Sequence, residues 1–431
     1  WPRGALAVVL AAGGTHHDAT QALQLLGPDV EAAPGPAADA AVRARAQILA
    51  LQPNRSRRRE AVALLERLGR RATPADQFLL AQLAEIDGDW PGSQERLLGL
   101  LDADGQNPRY LARLVRGLLL HDRVDEAQLW FQRLEAAQPR APDTIGLKAR
   151  LLEARGLGAD SERLLVDFAH EDEARAEAVA ILLEQLRHLS AAEGLYRSAA
   201  TRRPEATLGL ASFLARQGRI DEALDLCDRA WGTCRPEAVA VASAGILTTA
   251  PASESQCRRV ADLIERALGK TPEAPTLLFS LANVRTLQKD YQGAEVIYRR
   301  LFEQDRTNGT PLNNLAWLLA ALGERGPEAL ALAERAIELN GPRPELLDTR
   351  GVVHLAMGRT DLAAKDLQDA IAVSPAPDKY FHLARAYLMA KKPDEARGAL
   401  REATDLGLRE GLLHPLERPA FRALTDALAH R

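Results

Sequence analysis

Apolar residues recur along this chain at spacings of three and four, in paired runs separated by short polar turns. Residues 345–375 show the pattern in full. Leu347, Gly351, His354 and Leu355 share one face of a first helix, and Met357-Gly358-Arg359-Thr360-Asp361 makes a turn. Leu362, Ala363, Leu367, Ala370 and Ile371 then share one face of a second helix, closed by Pro375. Such spacing stacks side chains on one side of an α-helix, so the pattern predicts two amphipathic helices. Gly358 suits a helix end, where a positive φ is often required. Pro375 cannot continue a helix interior and separates one unit from the next.

One position in each run is small, and its partner in the second run follows twelve residues later. The pairs are Ala81 and Ser93, Ala149 and Ser161, Ala180 and Ala192, Ala211 and Ala223, Ala282 and Ala294, Gly351 and Ala363, and Ala384 and Ala396. Val115 and Ala127 keep the spacing with a larger first member. Small residues there let the two helices cross closely. Successive second members stand about 31 to 36 residues apart, a period that marks a helical solenoid.

Other units repeat the scheme with Leu111, Leu114, Leu118, Ala127, Phe131, Leu134 and Pro139, with Leu208, Ala211, Leu214, Gly218, Ala223, Cys227 and Ala230, and with Tyr380, Leu383, Ala384, Tyr387, Ala396, Leu400 and Ala403. These residues resemble the tetratricopeptide repeat family, in long bacterial-type arrays. About ten units fit between residues 41 and 404. The fold expected is all-α, a right-handed α-solenoid with a C-terminal capping helix. Two turns are longer than the rest, at residues 248–253 and 323–327, the second placing Ala316 and Ala329 thirteen apart.

Three regions follow. Residues 1–72 are irregular helical segments with a proline- and alanine-rich stretch at 32–38, residues 73–404 form the array, and residues 405–431 are the cap. Within the cap, Phe421, Leu424 and Leu428 stand at helical spacing in residues 419–430 and should cover the last apolar face. Trp1-Pro2-Arg3-Gly4 echoes Trp90-Pro91-Gly92-Ser93, so residues 1–13 are read as the second helix of a truncated unit, in a chain excised from a longer protein.

Net charge of −4 offers no general attraction to nucleic acid or anionic membrane. No apolar run approaches the roughly 18 residues of a membrane span. Cytoplasm is the preferred compartment. Cys227, Cys234 and Cys257 are too sparse for a disulfide framework, and Cys227 holds a packed position. His16-His17-Asp18 lacks the i, i+4 pairing of a helical zinc site and is read as a solvated loop. Asn54-Arg55-Ser56-Arg57-Arg58-Arg59 is read as a solvated turn before a helix at 60–68. No convergent acid, base and nucleophile set appears, so neither catalysis nor a cofactor is expected.

The resemblance places the first helix of each unit on a concave surface that binds extended peptides. Repeat register puts Asn283, Asn313, Asn314, Trp317, Asp348, Thr349, Phe381, His382 and Arg385 on that surface. An asparagine offers both a donor and an acceptor to a peptide backbone, Trp317 an apolar anchor, and Arg385 a charge for an acidic segment. Arg109, Arg113, Arg116 and Arg150 form a basic strip in earlier units. Asn283 and Asn314 stand where the family's carboxylate clamp has asparagines, but its basic positions hold Phe279, Glu345 and Thr349. A free C-terminal carboxylate would find little compensating charge there. The function expected is a non-catalytic protein-interaction scaffold holding a peptide or partner protein. The alternatives are the regulatory array of a larger signalling enzyme, such as a serine/threonine kinase, and a single-stranded RNA-binding solenoid.

Overall fold

The computed structural model describes residues 3–12, 16–27, 35–52, 55–323 and 325–429. Among them there are helices and turns but no strand. The chain opens with α1 (Arg3–Ala11), α2 (His16–Leu26), α3 (Pro36–Ala50) and α4 (Arg55–Glu66). Five helical pairs follow: α5 (Pro74–Ile86) with α6 (Trp90–Ala103), α7 (Pro108–Leu120) with α8 (Val124–Ala137), α9 (Pro142–Ala154) with α10 (Gly158–Glu171), α11 (Ala176–Gln185) with α12 (Leu189–Arg202), and α13 (Ala206–Arg216) with α14 (Ile220–Ala230). Five more are α15 (Pro236–Ile246) with α16 (Glu254–Leu268), α17 (Pro275–Leu287) with α18 (Tyr291–Gln304), α19 (Thr310–Leu322) with α20 (Gly326–Asn340), α21 (Pro344–Ala356) with α22 (Thr360–Val373), and α23 (Pro377–Met389) with α24 (Pro393–Asp405). A final α25 spans Arg418–Ala429. The protein is an all-α solenoid.

The chain divides into two compact units, one of residues 65–235 and one of residues 1–64 with 236–431. In both, the small pairs sit where neighbouring helices touch, and Ala81, Ser93, Ala211, Ala223, Ala384 and Ala396 are fully buried. A Cβ on Gly351 would stand 2.8 Å from Leu367 Cγ. Gly117 is tighter still: a Cβ there would come within 2.0 Å of the Trp90 ring, which stacks on His121 at 5.0 Å.

Local chemistry sets the helix ends. Proline opens α5, α7, α9, α17, α21, α23 and α24, where a missing N–H costs nothing. Asp89 and Asp290 each accept the backbone N–H three residues on, at 3.0 Å, and so start α6 and α18. In eight of the pairs the turn takes one residue in the left-handed region. Glycine supplies it at Gly88, Gly156, Gly218 and Gly358, but Asp122, Arg187, Lys289 and Lys391 hold the equivalent place with φ of 56°, 70°, 65° and 60°. Arginine and glutamate tie successive second helices together: Glu193 takes both Arg197 and Arg219, and Glu295 takes both Arg299 and Arg325.

Several expectations are corrected at the N-terminus. α1 packs on both α2 and α3, as a first helix does, and Ala7 and Ala19 are a buried pair twelve residues apart. Arg3–Ala11 is therefore placed as a first helix rather than as the second helix of a unit; Trp1, Pro2 and Gly13 lie outside the described residues, as do residues 32–34 of the proline-rich stretch. His16, His17 and Asp18 are not a loop but the first turn of α2, with Asp18 suited to the positive helix end. His16 lies against Gly341, where a Cβ would stand 2.6 Å from its Nδ1. Likewise Arg55–Arg59 form the start of α4 rather than a solvated turn: Arg57 pairs with Glu60 at 3.1 Å and Arg58 is buried. Asn54 lies outside the described residues. All three cysteines are buried.

Candidate functional site in the C-terminal unit

A concavity of about 480 Å³ lies among α17, α19, α21 and α23. Asn283, Asn313, Asn314, Trp317, Asp348, Thr349 and His382 line it. The structure thus brings together seven of the nine residues selected by register. Repeat geometry explains this, because equivalent positions of successive first helices stack along one face.

The other two face elsewhere. Phe381 is fully buried and meets Phe421 of α25 ring edge to ring face, centroids 5.7 Å apart. One residue along a helix is a turn of about 100°, which carries Phe381 away from the groove while His382 enters it. Arg385 is half-buried, with its guanidinium over the Phe381 ring at 5.6 Å. Burial pushes its pKa down and Glu417 partly opposes that, so its charge answers an acid of the chain itself.

The asparagines are partly committed to each other. Asn283 Oδ1 accepts from Tyr298 Oη at 2.7 Å and from Asn314 Nδ2 at 3.4 Å, and Asn313 Nδ2 donates to Asn314 Oδ1 at 3.5 Å. Burial pushes Tyr298 up to about 12, so it stays a neutral donor. Asn313 Oδ1 is buried with no partner, an acceptor facing an unfilled need.

His382 is the electrostatic centre. Its Nδ1 donates to Asp348 Oδ1 and its Nε2 to Glu417 Oε1, each at 2.7 Å. Burial alone would lower its pKa, but the two carboxylates overcome that and hold it at about 10. The imidazolium in turn keeps Glu417 below its ordinary value against the effect of burial. Beside them, His414 meets the Trp317 ring edge-on at 4.8 Å. Burial pushes His414 down to about 4, so this ring is neutral.

Register reasoning missed His414, Glu417, Tyr298 and Lys379, all of which also line the concavity. His414 and Glu417 lie beyond the last repeat, out of phase with everything before them. The lining also contains Glu345 and Asp378, so acids outnumber bases there.

In the unit of residues 65–235 the expected basic strip is only partly free. Arg113 pairs with Glu85 at 2.9 Å, Arg109 lies over Phe78 at 5.2 Å, and Arg150 donates to Gln185 at 2.8 Å. Arg116 and Arg150 border a concavity of about 430 Å³ with Ile145 and Leu182. No group of three metal-ligating side chains converges among the described residues.

Stacked helical pairs around a concave, polar-and-aromatic lining define a helical-repeat scaffold. The tetratricopeptide repeat family model matches residues 178–238 and 349–407 of the chain. It is 24% identical over 361 residues to the cellulose synthase operon protein C of Pseudomonas fluorescens (strain SBW25), covering 80% of this chain and 25% of that one. It is 27% identical over 178 residues to the TPR repeat-containing protein PA4667 of Pseudomonas aeruginosa, covering 41% of this chain and 30% of that one. The chain thus spans a quarter to a third of the length of these relatives. Among solved structures, yeast Tom70 is similar at 16% identity and a TM-score of 0.47, over 89% of this chain and 96% of that one. A tetratricopeptide repeat protein from Parabacteroides merdae is similar at 16% identity and a TM-score of 0.46, over 59% and 98%. Tetratricopeptide repeats are protein-interaction modules, and no helix among the described residues is long and apolar enough to cross a membrane.

Proposed function

We propose that the protein is a non-catalytic interaction scaffold that holds a segment of a partner protein in the groove of its C-terminal unit. The observation that carries this reading is the convergence of Asn283, Asn313, Asn314 and Trp317 on one concavity in which Asn313 Oδ1 lacks a partner. A peptide backbone N–H supplies what that oxygen lacks, and the Trp317 ring offers an apolar wall. Glu345, Asp348, Asp378 and Glu417 in the lining oppose a nucleic-acid strand, whose phosphates they would repel. The likeness to a cellulose synthase operon protein along 80% of this chain supports a second reading, in which the array is one section of a longer scaffold.

The test is capture of partners from the native host by the wild-type chain and by Asn313→Ala and Trp317→Ala, with folding checked by circular dichroism. Losing such an anchor costs ~2 kcal/mol or more, about thirtyfold in affinity. Equal retention of the same partners by both folded variants would remove the groove from consideration.

A further inference from the structure

Residues 411–417 do more than lead from the last repeat into α25. The segment borders the groove, with His414 and Glu417 in its lining. Gly411 lies against Pro251, where a Cβ would stand 3.2 Å from the proline ring. His414 takes the edge of Trp317 on α19. Leu416 packs on the apolar cluster that holds Leu278, Leu315 and Trp317. Glu417 closes on His382 of α23. Arg418 fastens the segment from behind, with Nε donating to Leu413 O at 3.1 Å and a terminal nitrogen to Gly411 O at 3.2 Å.

A cap made only for stability needs apolar cover, and α25 supplies that through Phe421, Leu424 and Leu428. The acid–imidazolium contact is a different kind of feature. Burying a charged pair is costly, and an apolar replacement is often no less stable. The contact also sits among the seven groove residues rather than at the end of the array.

We propose that residues 411–417 are a tethered occupant of the groove, latched by Glu417 on His382, and that a partner segment presenting a carboxylate to His382 and a ring or leucine to Trp317 takes their place. The proposal rests on the groove reading above and names the chemistry of its ligand. Lifting Glu417 away with nothing in exchange leaves a buried imidazolium N–H without an acceptor, which is strongly unfavourable. A partner carboxylate removes that penalty, so opening is coupled to an acidic ligand. Asp348 stays in place on α21 and holds the imidazole ring oriented for either occupant. Because the latch is covalently attached, it competes at an effective concentration in the millimolar range.

The experiment uses the full chain and, as probe, a fluorescent synthetic peptide copying residues 406–429. Fluorescence anisotropy is read on the wild type, on the double variant Leu416→Ala/Glu417→Gln, and on the same double variant carrying His382→Gln. The double variant should bind the probe at least tenfold more tightly than the wild type, and His382→Gln should cancel the gain. A probe with Gln in place of the glutamate that copies Glu417 should bind the double variant at least tenfold more weakly. Equal binding to wild type and double variant, or binding to neither when both are folded, would show a fixed cap and overturn the latch. Hydrogen exchange on the wild type is independent of any variant. The amides of Leu413, His414, Leu416 and Glu417 should open well before those of α23, and exchange only on global unfolding would refute the idea. If host partners are still captured through Trp317 while the probe experiment fails, the groove reading stands and the latch alone falls.

Discussion

His382 and Asp348 are 34 residues apart in sequence, one repeat, and their side chains meet at 2.7 Å in the groove. Glu153 and His188 repeat the relationship 35 residues apart in the other unit, at 2.6 Å. The two sites differ in exposure. His382 is only 2% exposed and takes a second acid, Glu417; His188 also takes a second acid, Glu162 at 2.9 Å, but this trio is partly open to solvent. An acid–imidazole contact spanning about one repeat is therefore partly solvated in one unit and a buried charged centre in the other.

The first prediction is a stability optimum near neutral pH set by two histidines of opposite shift. His382 is raised from 6.5 to about 10, so the folded state binds more protons between those values. Its contribution is complete below pH 6.5 and is lost as pH rises toward 10. His414 is depressed from 6.5 to about 4, so its contribution is complete above 6.5 and is lost as pH falls toward 4. Glu417, held below its ordinary value, adds to the acid-side loss. The charged neighbours are Asp348 and Glu345 on α21, Asp378, Lys379 and Arg385 on α23, and Arg418 after the tail. Melting temperature against pH should flatten on the alkaline side in His382→Gln and on the acid side in His414→Gln. Parallel curves for all three proteins would contradict the assignment.

A second prediction separates glycines that are required by packing from those that are not. Gly117→Ala drives a Cβ into the Trp90 ring, which is pinned by its stack on His121. Overpacking of this kind costs about 1–3 kcal/mol. Gly99, inside α6, has no atom within 4 Å of its Cβ position, and Gly99→Ala should stabilise by about 0.5–1 kcal/mol. Urea denaturation of the two variants should move the midpoint in opposite directions.

The contrast between those glycines bears on what could be read without the structure. The twelve-residue pairs were legible because every unit imposes the same close crossing, so ten degenerate copies add up to a clear register. The groove residues were legible for the same reason, since stacking places equivalent positions on one face. Gly117 was not, because its role depends on the neighbouring Trp90 rather than on the repeat. Phe381 was misplaced because register gives a helix face only to within about one residue, or 100°. Glu417 was out of reach entirely: it belongs to no repeat, and only tertiary folding brings it back over α23.

The third prediction concerns the turns. Lys289 and Lys391 adopt φ of 65° and 60° at the place where other pairs use glycine. A side chain in that region costs roughly 1–2 kcal/mol relative to its relaxed state. Part of the gain from glycine is offset by the greater freedom it gives the unfolded chain. Lys391→Gly should therefore stabilise by about 0.5–1 kcal/mol, and the double variant with Lys289→Gly by about twice that, because the sites are distant and independent. Unchanged or lowered urea midpoints would mean that these lysines make compensating contacts.

The last prediction tests α25 as a stability element apart from the latch. Phe421 meets Phe381, Leu424 is buried, and Ala420 and Leu428 pack on the cluster of Leu355, Leu367 and Leu383. Of the expected cap, residues 418–429 form the helix, and His430 lies outside the described residues. This helix covers the fully buried Phe381, so deleting residues 419–431 should expose an apolar strip at the end of the array. Such a strip invites association. The deletion should lower the melting temperature by several degrees, as for a few kcal/mol lost from a large chain, and should broaden the elution profile in size-exclusion chromatography. Phe421→Ala should do part of this, and Glu410→Ala, which removes only the exposed pair with Arg422, should do almost none. A deletion variant that melts like the wild type and elutes as one sharp species would show that the final repeat protects its own edge.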